Sequence, residues 1–155
     1  MRLTVFSDYA MRVLLVLASR TQELVTIADI ASAFGISHAH LMKVTHVLGK
    51  TGWVETVRGR SGGMRLATDP RKLKLGQVLQ ALEEDFALVE CFGPNNRCVL
   101  TGGCGLEAAL AQAMQNFFRD LDRYSLADLV DASPALSALP MWQPITWAQP
   151  RVPLS

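Results

Sequence analysis

Cys91, Cys98 and Cys104 are the residues whose type and spacing point most directly to chemistry. Six residues separate the first pair and five the second, in a stretch that also holds Gly93, Pro94, Gly102 and Gly103. Glycine and proline break regular structure and let the chain fold back, so three soft thiolates could turn inward on one iron–sulfur cluster or zinc ion. The competing reading is three inert buried thiols, and the spacing is not the CxxC of zinc ribbons or ferredoxins. Three cysteines also leave a four-ligand site one donor short. The missing ligand would be an oxygen or nitrogen donor, a water, or a group from another chain.

A second set of residues carries charge. Lys43, His46 and Lys50 recur along one helical segment, and Arg58, Arg60 and Arg65 surround the run Arg58-Gly-Arg-Ser-Gly-Gly63. The net charge of +1 conceals an asymmetry: through residue 75 there are eleven Lys and Arg against five Asp and Glu, and afterwards four against nine. A basic front is what a duplex-binding surface needs, whereas an acidic rear is repelled by phosphate and suits protein contacts or sensing. A merely solvated surface accounts for each charge singly, not for their coincidence with the elements below. There is no Ser/His/Asp set, phosphate loop or HExxH motif, and His38, His40 and His46 fall in the lysine-bearing segment, so nothing points to an enzyme.

The apolar run from Val13 to Ala18 follows Asp8 and Arg12, is too short to span a bilayer and precedes no small-residue cleavage site. The expectation is a cytoplasmic protein with no membrane partner. There thiols stay reduced, and an odd number of them suits metal or redox chemistry better than a disulfide framework.

Local structure must position these residues. Ser7 and Asp8 are good starters for a helix through AMRVLLVLAS, apolar almost all round and therefore buried. Thr26, with Asp29 three residues on, caps a short helix carrying Ile27, Ile30 and Ala31 that stops at Gly35. Ser37 caps the next, in which Leu41, Val44 and Leu48 share one face while Lys43, His46 and Lys50 project from the other until Gly52. Two short helices joined at a glycine predict a helix-turn-helix. Its second helix would read DNA, with Ser37, His38 and His40 at its start and Ala39 small enough for close approach to bases. Residues from Trp53 to Val57 and from Met64 to Ala67 read as strands flanking a mobile turn, a wing whose arginines reach a groove or phosphates. Leu75, Val78, Leu79, Leu82 and Phe86 mark a further amphipathic helix, and Leu106, Leu110, Ala113, Phe117, Leu121 and Tyr124 a long helix with an apolar seam suited to dimerisation. A helical turn follows from Ser125 to Val130. Beyond Ser133, five of the seven prolines gather with Trp142 and Trp147, which predicts an irregular tail.

The stretches FSDYAMRVL, ISHAHLMKVTHVLGKTGWVETVRGRSGGMRLA, CFGPNNRCVLTGGC and LDRYSLADLV closely resemble the NsrR-type nitric-oxide-sensing repressors of the Rrf-type winged-helix iron–sulfur regulators, over about residues 1 to 131. The resemblance implies a homodimeric repressor on a palindromic operator in double-stranded DNA, with nitric oxide as its signal. It implies an iron–sulfur cluster, 4Fe–4S in preference to 2Fe–2S, on Cys91, Cys98 and Cys104, with Asp8 of the partner subunit as candidate fourth ligand. The related cluster-biogenesis regulator carries a His three residues after its last cysteine, where Glu107 stands here. Related iron-responsive repressors share the three cysteines, so a repressor reading iron or cluster status is the nearest alternative. A small iron–sulfur redox protein explains the loop but not the basic front, and a regulator with structural zinc would be colourless. The expected architecture is mainly α with a small β-hairpin wing: a winged helix-turn-helix DNA-binding domain over 1–74, a cluster-binding loop and dimerisation helices over 75–131, and an irregular tail over 132–155.

Overall fold

Helix α1, Val5–Ser19, carries the apolar run that follows Asp8, and the computed structural model, which describes residues 3–83 and 85–140, surrounds it with the rest of the chain. Ala10, Val13, Leu14, Val16 and Leu17 are each 0% exposed, as a helix apolar nearly all round requires. The helix starts earlier than expected. Thr4 is its N-cap, its Oγ1 accepting the Ser7 N–H at 3.2 Å. Ser7 is buried in the core and so cannot serve as the cap, and Asp8 lies within the helix.

Helices α2, Ile27–Phe34, and α3, His38–Lys50, form the predicted pair, turning at Gly35. The Thr26 hydroxyl accepts the Asp29 N–H at 3.1 Å, and the Asp29 carboxylate accepts the Thr26 N–H at 2.9 Å, a complete capping box. Leu41, Val44 and Leu48 of α3 pack inward with Ile30 of α2. Strands β1, Val54–Val57, and β2, Gly63–Leu66, pair antiparallel, Val54 opposite Leu66 and Val57 opposite Gly63. Trp53 and Ala67 fall just outside, joined by one backbone hydrogen bond of 2.8 Å. The other edge of β2 is also paired, because Val25 and Met64 exchange two backbone hydrogen bonds, at 2.8 and 3.0 Å, which the sequence did not suggest. The wing is thereby rooted in the core through buried Val25 and Met64.

Helix α4, Leu75–Leu82, stops short of Phe86, which instead meets Phe118 edge-on at 4.8 Å on α5, Gly105–Leu121. Aromatic contact outside the helix thus consumes the apolar residue that had extended the helical pattern. The start of α4 is capped from a distance, the Gln77 N–H donating to Asp122 at 3.0 Å. Helix α6, Leu126–Asp131, returns to α1: Leu126 is buried, and its N–H donates to the Leu73 carbonyl at 2.8 Å. Hydrogen bonds from Ser125 hold the Asp128 carboxyl below the usual carboxylate range, completing a second capping box. A 3₁₀ turn at Pro134–Leu136 tucks Leu136 under the bundle. Trp142, Trp147 and the rest of the expected tail from 141 onward lie outside the described residues.

α4 and α5 meet at Gly76, where a Cβ would lie 2.8 Å from the Phe118 carbonyl oxygen and 2.5 Å from Asp122 Oδ1. The carboxylate can swing away, but the carbonyl belongs to a helical backbone. Gly76→Ala is therefore expected to destabilise the fold by about 1–3 kcal/mol despite alanine's higher helix propensity. A lowered urea midpoint at unchanged m-value would show it; a raised midpoint would contradict this packing.

Candidate nucleic-acid interface and cysteine loop

Ser37 starts α3 by accepting the His40 N–H at 3.3 Å. With the core side of α3 committed to Leu41, Val44 and Leu48, the residues His38, Ala39, His40, Lys43, His46 and Lys50 are all exposed. Met42, 54% exposed, shares this surface, and with His46, Lys50 and Glu55 it lines a shallow groove of about 570 Å³ against β1. Arg58 and Arg60 stand exposed in the wing turn. A Cβ at Gly62 would run into the Val57 carbonyl oxygen and lie 2.9 Å from that of Gly59, so the turn closes this tightly only on glycine. Arg65 differs from the other predicted cations. Its guanidinium pairs with Glu55 directly across the hairpin. Among the described residues Lys43, Lys50, Arg58 and Arg60 form no salt bridge.

Asp8 is engaged within its own helix, accepting from Arg12 Nη2 at 2.8 Å and from Nε at 3.3 Å. The guanidinium also lies over two rings, 5.5 Å from the Phe34 centroid and 6.0 Å from that of Tyr9. Tyr9 in turn lies 6.1 Å from the His40 ring at the start of α3. A run of contacts thus leads from Asp8 to the end of α2 and the beginning of α3. Sequence reasoning missed Arg12, Tyr9 and Phe34; the i, i+4 spacing of Asp8 and Arg12 was a signal for the ion pair, whereas the aromatic contacts leave none.

The cysteine loop joins α4 to α5. Cys91 sits in a 3₁₀ turn at Glu90–Phe92 and Cys104 at the N-cap of α5; all three thiols are free and half-buried. Side chains of the loop itself fold it. The Asn96 carbonyl accepts the Cys98 N–H at 2.9 Å, its amide donates to Thr101 at 2.9 Å, and the Thr101 hydroxyl donates to the Cys98 carbonyl at 2.8 Å. Glu90 accepts the Arg97 N–H and Glu107 the Gly102 N–H, each at 2.9 Å. Partial burial and then the Glu107 charge push the Cys91 thiol up from its ordinary value, with Cys98 and Cys104 adding to the effect. Cys91 therefore lies within electrostatic reach of Glu107, Cys98 and Cys104. Among the described residues, however, no three His, Cys, Asp or Glu side chains gather closely enough to hold a single metal ion, and Asp8 joins no such group within its own chain.

Residues 3–132 match the Rrf2 family, described as an iron-dependent transcriptional regulator. The chain belongs to the Rrf2 family. It is 48% identical over 132 residues to the HTH-type transcriptional regulator NsrR of Bacillus licheniformis, spanning 84% of this chain and 92% of that protein. Identity to the protein of that name from Bacillus subtilis is also 48%, over 84% of this chain and 90% of the other. Protein aau3 of Rhizobium meliloti is 41% identical over 90% of this chain and 91% of its own. Among solved structures, a putative transcriptional regulator from Listeria innocua superposes with a TM-score of 0.70 at 29% identity, over 86% of this chain and 88% of that one. The T. potens IscR structure shares the fold, with a TM-score of 0.69 at 24% identity over 93% and 94% of the two chains.

This mostly helical fold with one hairpin is thus the winged helix of Rrf2-family regulators, and the chain is a transcriptional regulator, not an enzyme. No helix among its described residues is long and apolar enough to cross a membrane. The unpaired cations of α3 and the wing are the ones expected to meet phosphate. Lys43→Ala and Arg60→Ala should each weaken operator binding and reduce the slope of log affinity against log salt by about one per lost contact. Titrations at several salt concentrations would test this, and unchanged affinity and slope in both variants would remove these elements from the interface.

Proposed function

We propose that this chain is a cytoplasmic, homodimeric repressor of palindromic operators that holds an iron–sulfur cluster, 4Fe–4S in preference to 2Fe–2S, and releases DNA when nitric oxide attacks it. The observation that carries the reading is the loop of three free, half-buried thiols in an Rrf2-family chain 48% identical to regulators named NsrR. The donor set fits such a cluster, because three soft thiolates share one self-bonded loop in which no disulfide competes for them. Cys91, Cys98 and Cys104 would hold it, with Asp8 of the partner subunit completing the set. When bound, the group would supply iron that reacts with nitric oxide and a rigid link between loop and partner. A carboxylate holds iron less tightly than a thiolate does, which suits the ligand that must leave.

The dimer rests on α5. Not one of its seventeen residues is buried within the single chain, although Leu110, Met114, Phe117 and Leu121 recur along it and Leu106 is 62% exposed. A second copy is the occupant that would also supply Asp8, paired within its own chain with Arg12, to the loop as the fourth donor. In the repressing state Asp8 would leave Arg12 for the cluster across the dimer. On release it would return to the bidentate pair seen here, and Arg12 would reset its contacts with Tyr9 and Phe34 beside α3. A palindromic site needs two recognition helices about 34 Å apart, so a small shift at the root of each α3 ends simultaneous binding. The positions assigned to DNA are Ser37, His38, His40, Lys43, His46, Lys50, Arg58 and Arg60, with Arg65 held by Glu55 as support for the wing.

Anaerobically purified protein is expected to be brown, and Cys98→Ala to lose both the colour and the response of DNA binding to nitric oxide, since two thiolates hold a cluster poorly. A Cys98→Ala variant with the wild-type spectrum and response would refute the assignment, and a response to iron chelation alone would favour the iron-status reading. Phe117→Asp should place an unpaired charge in the dimer seam and shift the protein to monomer in light scattering at low micromolar concentration. A variant that remains dimeric would remove α5 from the interface.

A further inference from the structure

Glu83 is the one charged residue that is buried among the described residues, at 9% exposure. Among the described residues no basic side chain pairs with it. Its Oε1 instead accepts two hydrogen bonds from Thr4, from the backbone N–H at 2.7 Å and from the hydroxyl at 3.1 Å, across seventy-nine residues of sequence. The two partners occupy special places. Glu83 is the C-cap of α4, where the chain departs toward Cys91, and Thr4 is the N-cap of α1, one turn before Asp8.

Burying a carboxylate costs far more than burying a neutral acceptor, and a neutral group could satisfy the same N–H. Placed on two donors at the positive end of a helix, however, the charged group makes a strong and directional hold. The loop root has a second anchor of the opposite kind, Phe86 against Phe118 on α5. The loop is therefore fastened to α5 by aromatic contact and to α1 by one buried carboxylate.

We infer that Glu83 is a positioning residue that carries the state of the cysteine loop to the first turn of α1 within one chain, and thence through Arg12 and Tyr9 to α3. The inference rests on the repressor reading for its biological use, but the physical link does not need it. Displacing the α4 terminus pulls on Thr4. Thr4 caps the turn that presents Asp8, so the loop and the ligand it would share with the partner's loop move together.

Two measurements test this. The first is the ratio of operator affinities of cluster-loaded and cluster-free protein, for wild type, Glu83→Ala, Glu83→Gln and Thr4→Ser. Glu83→Ala should keep its cluster yet bring the ratio down by about tenfold or more, toward one. Glu83→Gln, which keeps an acceptor without the charge, should fall between, and Thr4→Ser, which keeps both donors, should match wild type. A Glu83→Ala protein with the wild-type ratio, or with both affinities lowered by one factor, would overturn the inference and leave Glu83 a structural cap. The second measurement uses neither cluster nor DNA. Alkylating the loop thiols of cluster-free protein should speed amide exchange over residues 5–8 in wild type, and the increment should vanish in Glu83→Ala and shrink in Glu83→Gln, the variant that decides if Glu83→Ala fails to fold. A wild-type affinity ratio of one would defeat the repressor reading, while the exchange result would still decide the role of Glu83; equal increments in wild type and variants would sink it.

Discussion

Everything in this fold leans on α1. Its inner residues are fully enclosed, and α3, α4, α6 and β2 all pack against it, so the DNA-binding elements and the C-terminal helices share one apolar core. Such a helix cannot shift its body without opening cavities, each worth several kcal/mol for a large side chain. Its first two turns are another matter. There Thr4, Asp8, Tyr9 and Arg12 reach the surface and make the polar and aromatic contacts that join loop, α2 and α3. The arrangement separates what must stay rigid from what is free to respond.

The wing and the loop solve opposite problems with related means. In the wing, Gly62 permits a tight return and the Val25 pairing roots the hairpin in the core, leaving Arg58 and Arg60 free at the tip. In the loop, Asn96, Thr101, Glu90 and Glu107 supply hydrogen bonds that a fourteen-residue stretch from Cys91 to Cys104 does not get from regular structure. The loop tip nevertheless remains bare, with Val99 at 96% and Leu100 at 61% exposure. Exposed apolar residues there and along α5 are consistent with a surface completed by a second chain.

Much of this was legible in the sequence where the signal is local. The buried α1, the Thr26–Asp29 and Ser37 caps and the glycine-rich wing follow from period, capping chemistry and turn residues. Boundaries failed where a distant partner decided them. Ser7 looks like a cap but is drawn into the core, which hands the role to Thr4. Phe86 keeps helical spacing yet leaves α4 for Phe118, and α4 takes its cap from Asp122 of another segment. The cysteines were visible by type and spacing, whereas Glu83 was not, because the first residue of the acidic run Glu83-Glu84-Asp85 at the end of an amphipathic helix reads as solvated until its burial against Thr4 is known.

The strengths of these links are ordered in a way that suits a switch. The Asp8–Arg12 pair is about half exposed, at 48% and 39%, and surface pairs of this kind contribute roughly 0–1 kcal/mol. In the proposed dimer Asp8 could therefore leave Arg12 to serve as an iron ligand at little cost, and the pair could re-form once Asp8 is released. The Glu83–Thr4 contact is shielded on the Glu83 side only, Thr4 being exposed, and hydrogen bonds to a charged group contribute more than such an ion pair, roughly 1.5–3 kcal/mol. A weak exposed pair beside a stronger, partly buried contact lets the first exchange partners while the second holds register. Were the strengths reversed, a displacement of the loop would break its hold on Thr4 before it moved α1, and would dissipate in the loop without reaching α3.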